Sequence, residues 1–245
     1  MSYILNKKNQ KIAYKKIKGK KPGVIFIHGL QSDMNGKKAN SIEKFIKNKG
    51  HAFIKFECRG HGKSYGKFEN YCISDWKNDL LFIIDKLSTG PQILIGSSMG
   101  GWLMMLAARA RKKRIISLLG IAAAPDFTIN MYNNLTKNNK KKLLKNGKIE
   151  LLDNEYASPY TITHKLIKDG KKNLILKKQF KFNKKLILIH GLKDEVVSSD
   201  VPFEILKKTS SNNIQLKFLK NSGHSLSSNK DIKVIFESIN ELIKS

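Results

Sequence analysis

Six short runs of branched apolar residues recur along this chain, at 23–29, 51–57, 92–95, 115–124, 184–191 and 213–220. Runs of Ile, Leu and Val without polar alternation belong to strands covered on both faces. Segments with helical apolar spacing lie between them, and strand–helix alternation joins such strands in parallel. The expected fold is therefore α/β, with a mostly parallel, doubly covered sheet. Ile42, Phe45 and Ile46 line one face of 40–50, with Gly50 as a C-terminal cap. Trp76, Leu80, Ile83, Ile84 and Leu87 line 74–87, with Ser74 as its N-cap. Ile232, Ile235, Phe236, Ile239 and Leu242 line 231–244. The alternation in "KIAYKKIK" reads as a further strand, and no secretory signal stands before it.

The rhythm breaks once, between Asp126 and Asn183. That segment is rich in lysine and asparagine and reads as helices and loops. It is too short for a domain and too long for a plain connection. The expectation is one domain over 1–245 carrying a small helical lid, 126–183, at the carboxyl edge of the sheet.

A formal charge of +28 would suit a binder of nucleic acid or anionic membrane. Of the 47 basic residues, however, only Arg59, Arg109, Arg111 and Arg114 are arginine, and lysine supplies the other 43. Nucleic-acid contacts favour arginine forks and interleaved aromatics, neither of which clusters here. Abundant Lys, Asn and Ile reads more simply as AT-rich codon usage, so no nucleic-acid partner is expected. The longest apolar run, "IISLLGIAAA", is about half the ~20 residues a bilayer requires, so no membrane span is expected. Cys58 and Cys72 form neither a disulfide framework nor a CxxC pair, which fits a reducing, cytoplasmic location. No metal-ligand cluster occurs.

The segment "QILIGSSMGGWLMMLAARA", 92–110, passes from strand to helix through Gly96-Ser97-Ser98-Met99-Gly100. That is G-x-S-x-G in the strand–turn–helix context of a nucleophile elbow. Glycines at 96 and 100 remove the Cβ atoms that would collide in so tight a turn. Ser98 is then lifted above the sheet at a helix N-terminus, where developing negative charge is favoured. Ser97 is the variable residue and should point elsewhere.

Serine needs a base held by an acid. In the chain order Ser…Asp…His, three histidines follow the elbow: His164, His190 and His224. His190 ends an apolar strand and His164 sits in the lid, whereas His224 lies in the turn-rich "NSGHSLSS" after the last strand. His224 is the expected base. Asp194 in "HGLKDEVV" and Asp126 in "AAAPDFT" both follow strands and could supply the acid; the short turn at Asp194 favours it. The oxyanion hole is expected from the backbone N–H groups of Met99 and Leu30, with His28 bracing the loop. Trp102, Phe127, Met131 and Tyr132 are expected to line the substrate pocket, while Met104 and Met105 read as core.

"GHGKS", 60–64, resembles a phosphate loop, but Glu57 stands where that motif needs its leading glycine. "GSSMGG" lacks dinucleotide-fingerprint spacing. The run "KNNKKKLLKNGK", 137–148, reads as solvated surface.

Taken in order, "HG", "CRGHGKS", "GSSMGGW", "HGLKD" and "GH" resemble the α/β-hydrolase fold. The longer blocks "SDMNGKKANSIEKF", "GPQILIGSSMGGWLMMLAARA", "GIAAAPDFT" and "HGLKDEVV" are similar to one family within it. These are the hydrolase-domain esterases related to mitochondrial palmitoyl-protein thioesterase and acyl-glucuronide esterase. The similarity runs from about Gly23 to the final helix and is weakest over 126–183. It implies Ser98, Asp194 and His224 as a catalytic triad. It also implies a serine esterase or thioesterase that takes a small-molecule ester or acyl thioester, or an acylated protein, with no cofactor. A non-catalytic binding protein on the same scaffold, a peptidase and a carbon–carbon hydrolase are the alternatives.

Overall fold

The computed structural model describes residues 1–152 and 159–244. Strands β1 (Ser2–Leu5), β2 (Lys11–Ile17) and β3 (Lys20–Ile27) lead to α1 (Lys37–Asn48), β4 (His51–Phe56) and α2 (Ile73–Leu87). Then follow β5 (Gln92–Ser97), α3 (Met99–Ala110) and β6 (Ile115–Ile121). An excursion carries α4 (Thr128–Asn133), α5 (Lys137–Asn146), β7 (Lys148–Leu152), β8 (Pro159–Thr163) and α6 (His164–Gly170). The chain closes with β9 (Lys185–Gly191), α7 (Val201–Lys208), β10 (Ile214–Leu219) and α8 (Asn229–Lys244).

Eight strands form one sheet in the order β1-β2-β4-β3-β5-β6-β9-β10. β1, β2 and β4 pair antiparallel, and every pairing from β4 across to β10 is parallel. Alternate residues of the parallel strands enter opposite cores, as a period of two requires. Ile25, Ile27, Leu94, Leu118 and Leu188 pack with α2 and α3 on one face. Val24, Phe26, Ile93, Ile95, Leu119 and Ile187 pack with α1 and α8 on the other. Both faces are covered, which is why these strands read as unbroken apolar runs.

Gly50 does terminate the first helix: its φ is +72° and its N–H bonds the Lys47 carbonyl at 2.9 Å. Ser74 is not the cap of α2. That position falls to Cys72, whose N–H bonds the Asp75 carboxylate at 3.2 Å. Ser74 instead donates its N–H and its hydroxyl to Asp169 of α6, at 2.7 and 2.8 Å. The strand expected over 115–124 stops at Ile121, because Ala122 takes a φ of +45° and the chain turns across the end of β5.

The excursion contains a β7–β8 hairpin that its polar composition concealed. Its apolar side chains Leu135, Leu143, Ile149, Ile162 and Ile167 make a small cluster of their own. Residues 153–158 of the expected lid lie outside the described residues. The excursion is anchored beneath the sheet edge through Trp102 of α3, whose fully buried indole N–H bonds the Asn173 carbonyl at 3.1 Å. Among the described residues no helix is long and apolar enough to cross a membrane.

Replacing Trp102 by Phe preserves most of the ring packing but leaves the Asn173 carbonyl without its donor. The expected loss in urea unfolding is about 1–3 kcal/mol, the cost of one unsatisfied buried acceptor. A variant as stable as the parent would show that this anchor is dispensable.

Candidate active site

Ser98 sits between β5 and α3 with φ 53° and ψ −119°, a backbone conformation that side chains other than glycine rarely adopt. Its surroundings hold it there. The Ser98 N–H bonds the Ile121 carbonyl at 3.0 Å, and the Ser98 carbonyl accepts from Gly101 and Ala124 at 2.8 and 3.1 Å. A Cβ at Gly96 would stand 2.3 Å from the Gly100 carbonyl oxygen, and one at Gly100 2.3 Å from that of Ile27. Both contacts are with backbone, so neither position admits a larger residue. Gly101 has a similar reason, since its Cβ would meet that of Ala123 at 2.5 Å.

Of the downstream histidines, the structure brings only His224 to this serine. Its Nε2 lies 3.1 Å from Ser98 Oγ, and its Nδ1 lies 2.8 Å from Asp194 Oδ2. The pattern fits an imidazole that donates through Nδ1 to the carboxylate and accepts the serine hydroxyl at Nε2. His164 begins α6, and His190 is buried with Nε2 on the Val197 carbonyl at 3.0 Å.

The two carboxylates separate cleanly. Asp126 accepts from the Ile175 and Leu176 N–H groups, which pins the far end of the excursion rather than a histidine. Asp194 has a wholly buried side chain and also accepts from the Val196 and Val197 N–H groups at 2.9 and 2.8 Å. Burial alone would raise its pKa. The hydrogen bond and charge of His224, with those two backbone donors, outweigh burial and hold the carboxyl below its ordinary range.

Thirty residues separate Asp194 from His224, and a backbone zipper closes the distance. Leu192 N–H bonds the Leu219 carbonyl, and Lys193 N–H bonds the Ser222 carbonyl, both at 3.0 Å. Gly191 allows this approach: a Cβ there would lie 2.1 Å from the Ser222 carbonyl oxygen. Lys38 of α1 then holds the histidine loop from outside, with Nζ on the Ser225 carbonyl at 2.7 Å.

Opposite the serine runs the loop after β3. A Cβ on Gly29 would fall 3.9 Å from Ser98 Oγ, so this loop passes directly beside the hydroxyl. His28 braces it. Its Nδ1 donates to the Gly29 carbonyl at 2.7 Å, and its Nε2 accepts from the Cys58 N–H at 3.0 Å. The Gly29 carbonyl and the Leu30 N–H belong to one planar peptide unit, so fixing one fixes the other. Burial lowers the His28 pKa to about 4, which keeps the ring neutral and both bonds intact near pH 7.

Of the expected lining residues, Trp102 is fully buried and bonded to Asn173, which removes it from any exposed pocket wall. Phe127 and Met131 are half-buried and pack on the same core as Leu30. Tyr132 lies under Lys140 and Lys171, with each ammonium about 5 Å from its ring. Sequence reasoning gave no role to "CRGHGKS", yet this segment is tied to the site. Arg59 pairs with Asp79 in the core at 2.7 Å, and His61 lies against the ring of His28, centroids 4.8 Å apart. The histidine inside a rejected phosphate-loop match was the signal available.

A mostly parallel α/β sheet carrying an elbow serine, an acid and a histidine in that chain order defines a hydrolase of the α/β class. Residues 19–169 match the family described as serine aminopeptidase, S33 (Hydrolase_4). The chain is 38% identical over 234 residues to palmitoyl-protein thioesterase ABHD10, mitochondrial, of Bos taurus, covering 95% of this chain and 76% of the bovine protein. It superposes on alpha/beta hydrolase domain-containing protein 10 from mouse with a TM-score of 0.93 at 35% identity, over 99% and 98% of the two chains. Est1E from Butyrivibrio proteoclasticus shares the fold, with a TM-score of 0.79 at 17% identity over 100% and 99% of the chains. The chain therefore belongs to the α/β-hydrolase family that includes ABHD10. The cytoplasmic assignment inferred from cysteine usage is withdrawn, because relatives at 35–38% identity are named as mitochondrial. Two unpaired cysteines report a reducing environment and do not distinguish among reducing compartments.

The buried imidazoles make stability depend on pH. An unfolded chain binds a proton at each histidine near pH 6.5, whereas folded His28 does so only near about 4 and folded His61 near about 3. The unfolded state therefore holds more protons below pH 6.5, and stability falls as pH drops through that window. Urea midpoints measured from about pH 7.5 to about 4.5 should decline, and the decline should shrink in the His28→Gln variant. Midpoints flat over that range would contradict the neutral, buried assignment.

Proposed function

We propose that Ser98, His224 and Asp194 are the catalytic triad of this chain. It is a serine hydrolase of carboxylic esters or thioesters. The observation that carries the triad is the pair of hydrogen bonds converging on one imidazole, 3.1 Å to an elbow serine and 2.8 Å to a buried carboxylate.

His224 Nε2 takes the Ser98 proton as Oγ bonds the substrate carbonyl carbon. The carbonyl π pair moves onto oxygen, and the oxyanion is received by the N–H groups of Leu30 and Met99. Met99 opens α3, so its N–H has no intrahelical acceptor and lies at the positive end of the helix. Collapse expels the alcohol or thiol, which takes the proton from imidazolium, and leaves an acyl group on Ser98. Water, deprotonated by His224, then releases the carboxylic acid by the same route. Asp194 keeps the Nδ1–H tautomer in place and stabilises the imidazolium through each half-reaction.

The excursion over 126–183 acts in this reading as a cap. Its support is the Gln31 side chain, which reaches from the oxyanion loop to the Thr161 carbonyl of β8 at 2.9 Å. In this reading Phe127 and Met131 are the cap residues that meet an acyl chain, supported by their packing on the same core as Leu30. A palmitoyl thioester on a protein is the substrate named for the ABHD10 relatives and is the first to try on this chain.

Ser98→Ala should lower kcat/KM for p-nitrophenyl esters by at least about 10⁴-fold and abolish fluorophosphonate labelling of the folded protein. Asp194→Asn should cost roughly 10³–10⁴-fold, while Asp126→Asn should retain most activity. A panel of matched thioester, ester and amide substrates should rank the amide last. Undiminished turnover by Ser98→Ala would end the triad assignment.

A further inference from the structure

We propose that His61 is a positioning residue for the oxyanion hole, clamping the peptide unit that follows Leu30 from beneath; this rests on the Leu30 N–H role proposed above. His61 Nε2 accepts the Gln31 N–H at 3.1 Å, and Nδ1 donates to the Arg59 carbonyl at 3.3 Å. The first bond uses the imidazole as an acceptor, which requires a neutral ring with its proton on Nδ1. The pocket enforces both. His61 is buried against the rings of His28, Phe68 and Trp76, with centroids 4.8, 5.5 and 5.1 Å away. The Trp76 indole N–H shares the Arg59 carbonyl at 2.9 Å, which fixes the acceptor to which His61 donates.

The need for a clamp is visible in the backbone. Gln31 holds a φ of +50°, a left-handed conformation that a residue with a side chain keeps only when its surroundings impose it. Two planar peptide units flank the Leu30 Cα. His28 pins the one containing the Leu30 N–H through the Gly29 carbonyl, and His61 pins the next through the Gln31 N–H. With both planes held, the torsions at Leu30 are fixed and its N–H cannot swing away as negative charge develops. Such a donor needs no reorganisation in the transition state. Gln31 also borders a cavity of about 210 Å³ shared with Ser32, His61 and Thr161; there its side chain bonds the Thr161 carbonyl at 2.9 Å, while the backbone N–H is held by His61.

Two substitutions separate an acceptor from a space-filler. His61→Leu removes the acceptor, whereas His61→Gln places a carbonyl oxygen where Nε2 stood. His61→Leu is expected to lower kcat about 10- to 100-fold with KM within about threefold, and His61→Gln to recover most of the loss. Affinity for a trifluoromethyl ketone, which forms a tetrahedral adduct on serine, should fall in parallel with kcat. In the unaltered protein, the Gln31 amide should exchange slowly with solvent deuterium, a readout that survives if His61→Leu does not fold. Unchanged kcat and ketone affinity in His61→Leu would overturn the clamp while leaving Ser98 in place. So would equal losses in both variants that follow their melting temperatures, or fast exchange at Gln31. Absence of any ketone adduct in the unaltered protein would instead overturn the nucleophile assignment itself.

Discussion

The site is organised by one strained residue. Ser98 is held at a positive φ, a conformation that costs of order 1–3 kcal/mol, and it persists because three backbone hydrogen bonds and two glycines leave the peptide nowhere else to go. The Ser98 carbonyl ties α3 to the turn after β6, and the N–H ties it to the end of that strand. Gly100 lets the elbow press against the end of β3, where the loop of Gly29 and Leu30 begins. Every other part of the site is thereby measured from this turn.

Around it, buried polar groups are mostly paired, His190 Nδ1 and Thr128 Oγ1 being exceptions among the described residues. His28 and His61 are neutral rings that each donate on one side and accept on the other, bracing backbone instead of carrying charge. Asp194 is the contrasting case: a fully buried carboxyl that stays ionised because three donors converge on it. Burial pushes all three groups toward neutrality, and only the one with sufficient donors resists it. Of the chain's many cations, Lys38 serves this set by holding a carbonyl of the histidine loop, within reach of the Asp194 charge.

Much of this was legible before any coordinates. Parallel strands covered on both faces show themselves as unbroken Ile, Leu and Val, and G-x-S-x-G between strand and helix marks the elbow, because tight turns have few chemical solutions. Ser74 and Trp102 were misplaced for the same reason as each other. Both looked like local features, a cap and a pocket wall, yet both are spent on the excursion, through Asp169 and Asn173. The β7–β8 pairing was hidden because its strands carry mixed polar residues around a few buried ones.

From its residues alone the chain determined an α/β sheet and the elbow at Ser98, since periodicity and backbone sterics act over a few neighbours, and its turn-rich last loop singled out the histidine that meets Ser98. The short turn favoured Asp194 over Asp126, but what brings that carboxylate to His224 is three-dimensional. Asp126 and Asp194 each follow a strand of the same sheet, and a short turn alone does not put its loop beside the last one. β9 pairs with β10, Gly191 admits the Ser222 carbonyl, and the zipper between those loops delivers Asp194. The contact of His61 with Gln31 was likewise invisible, because the two are thirty positions apart in the chain.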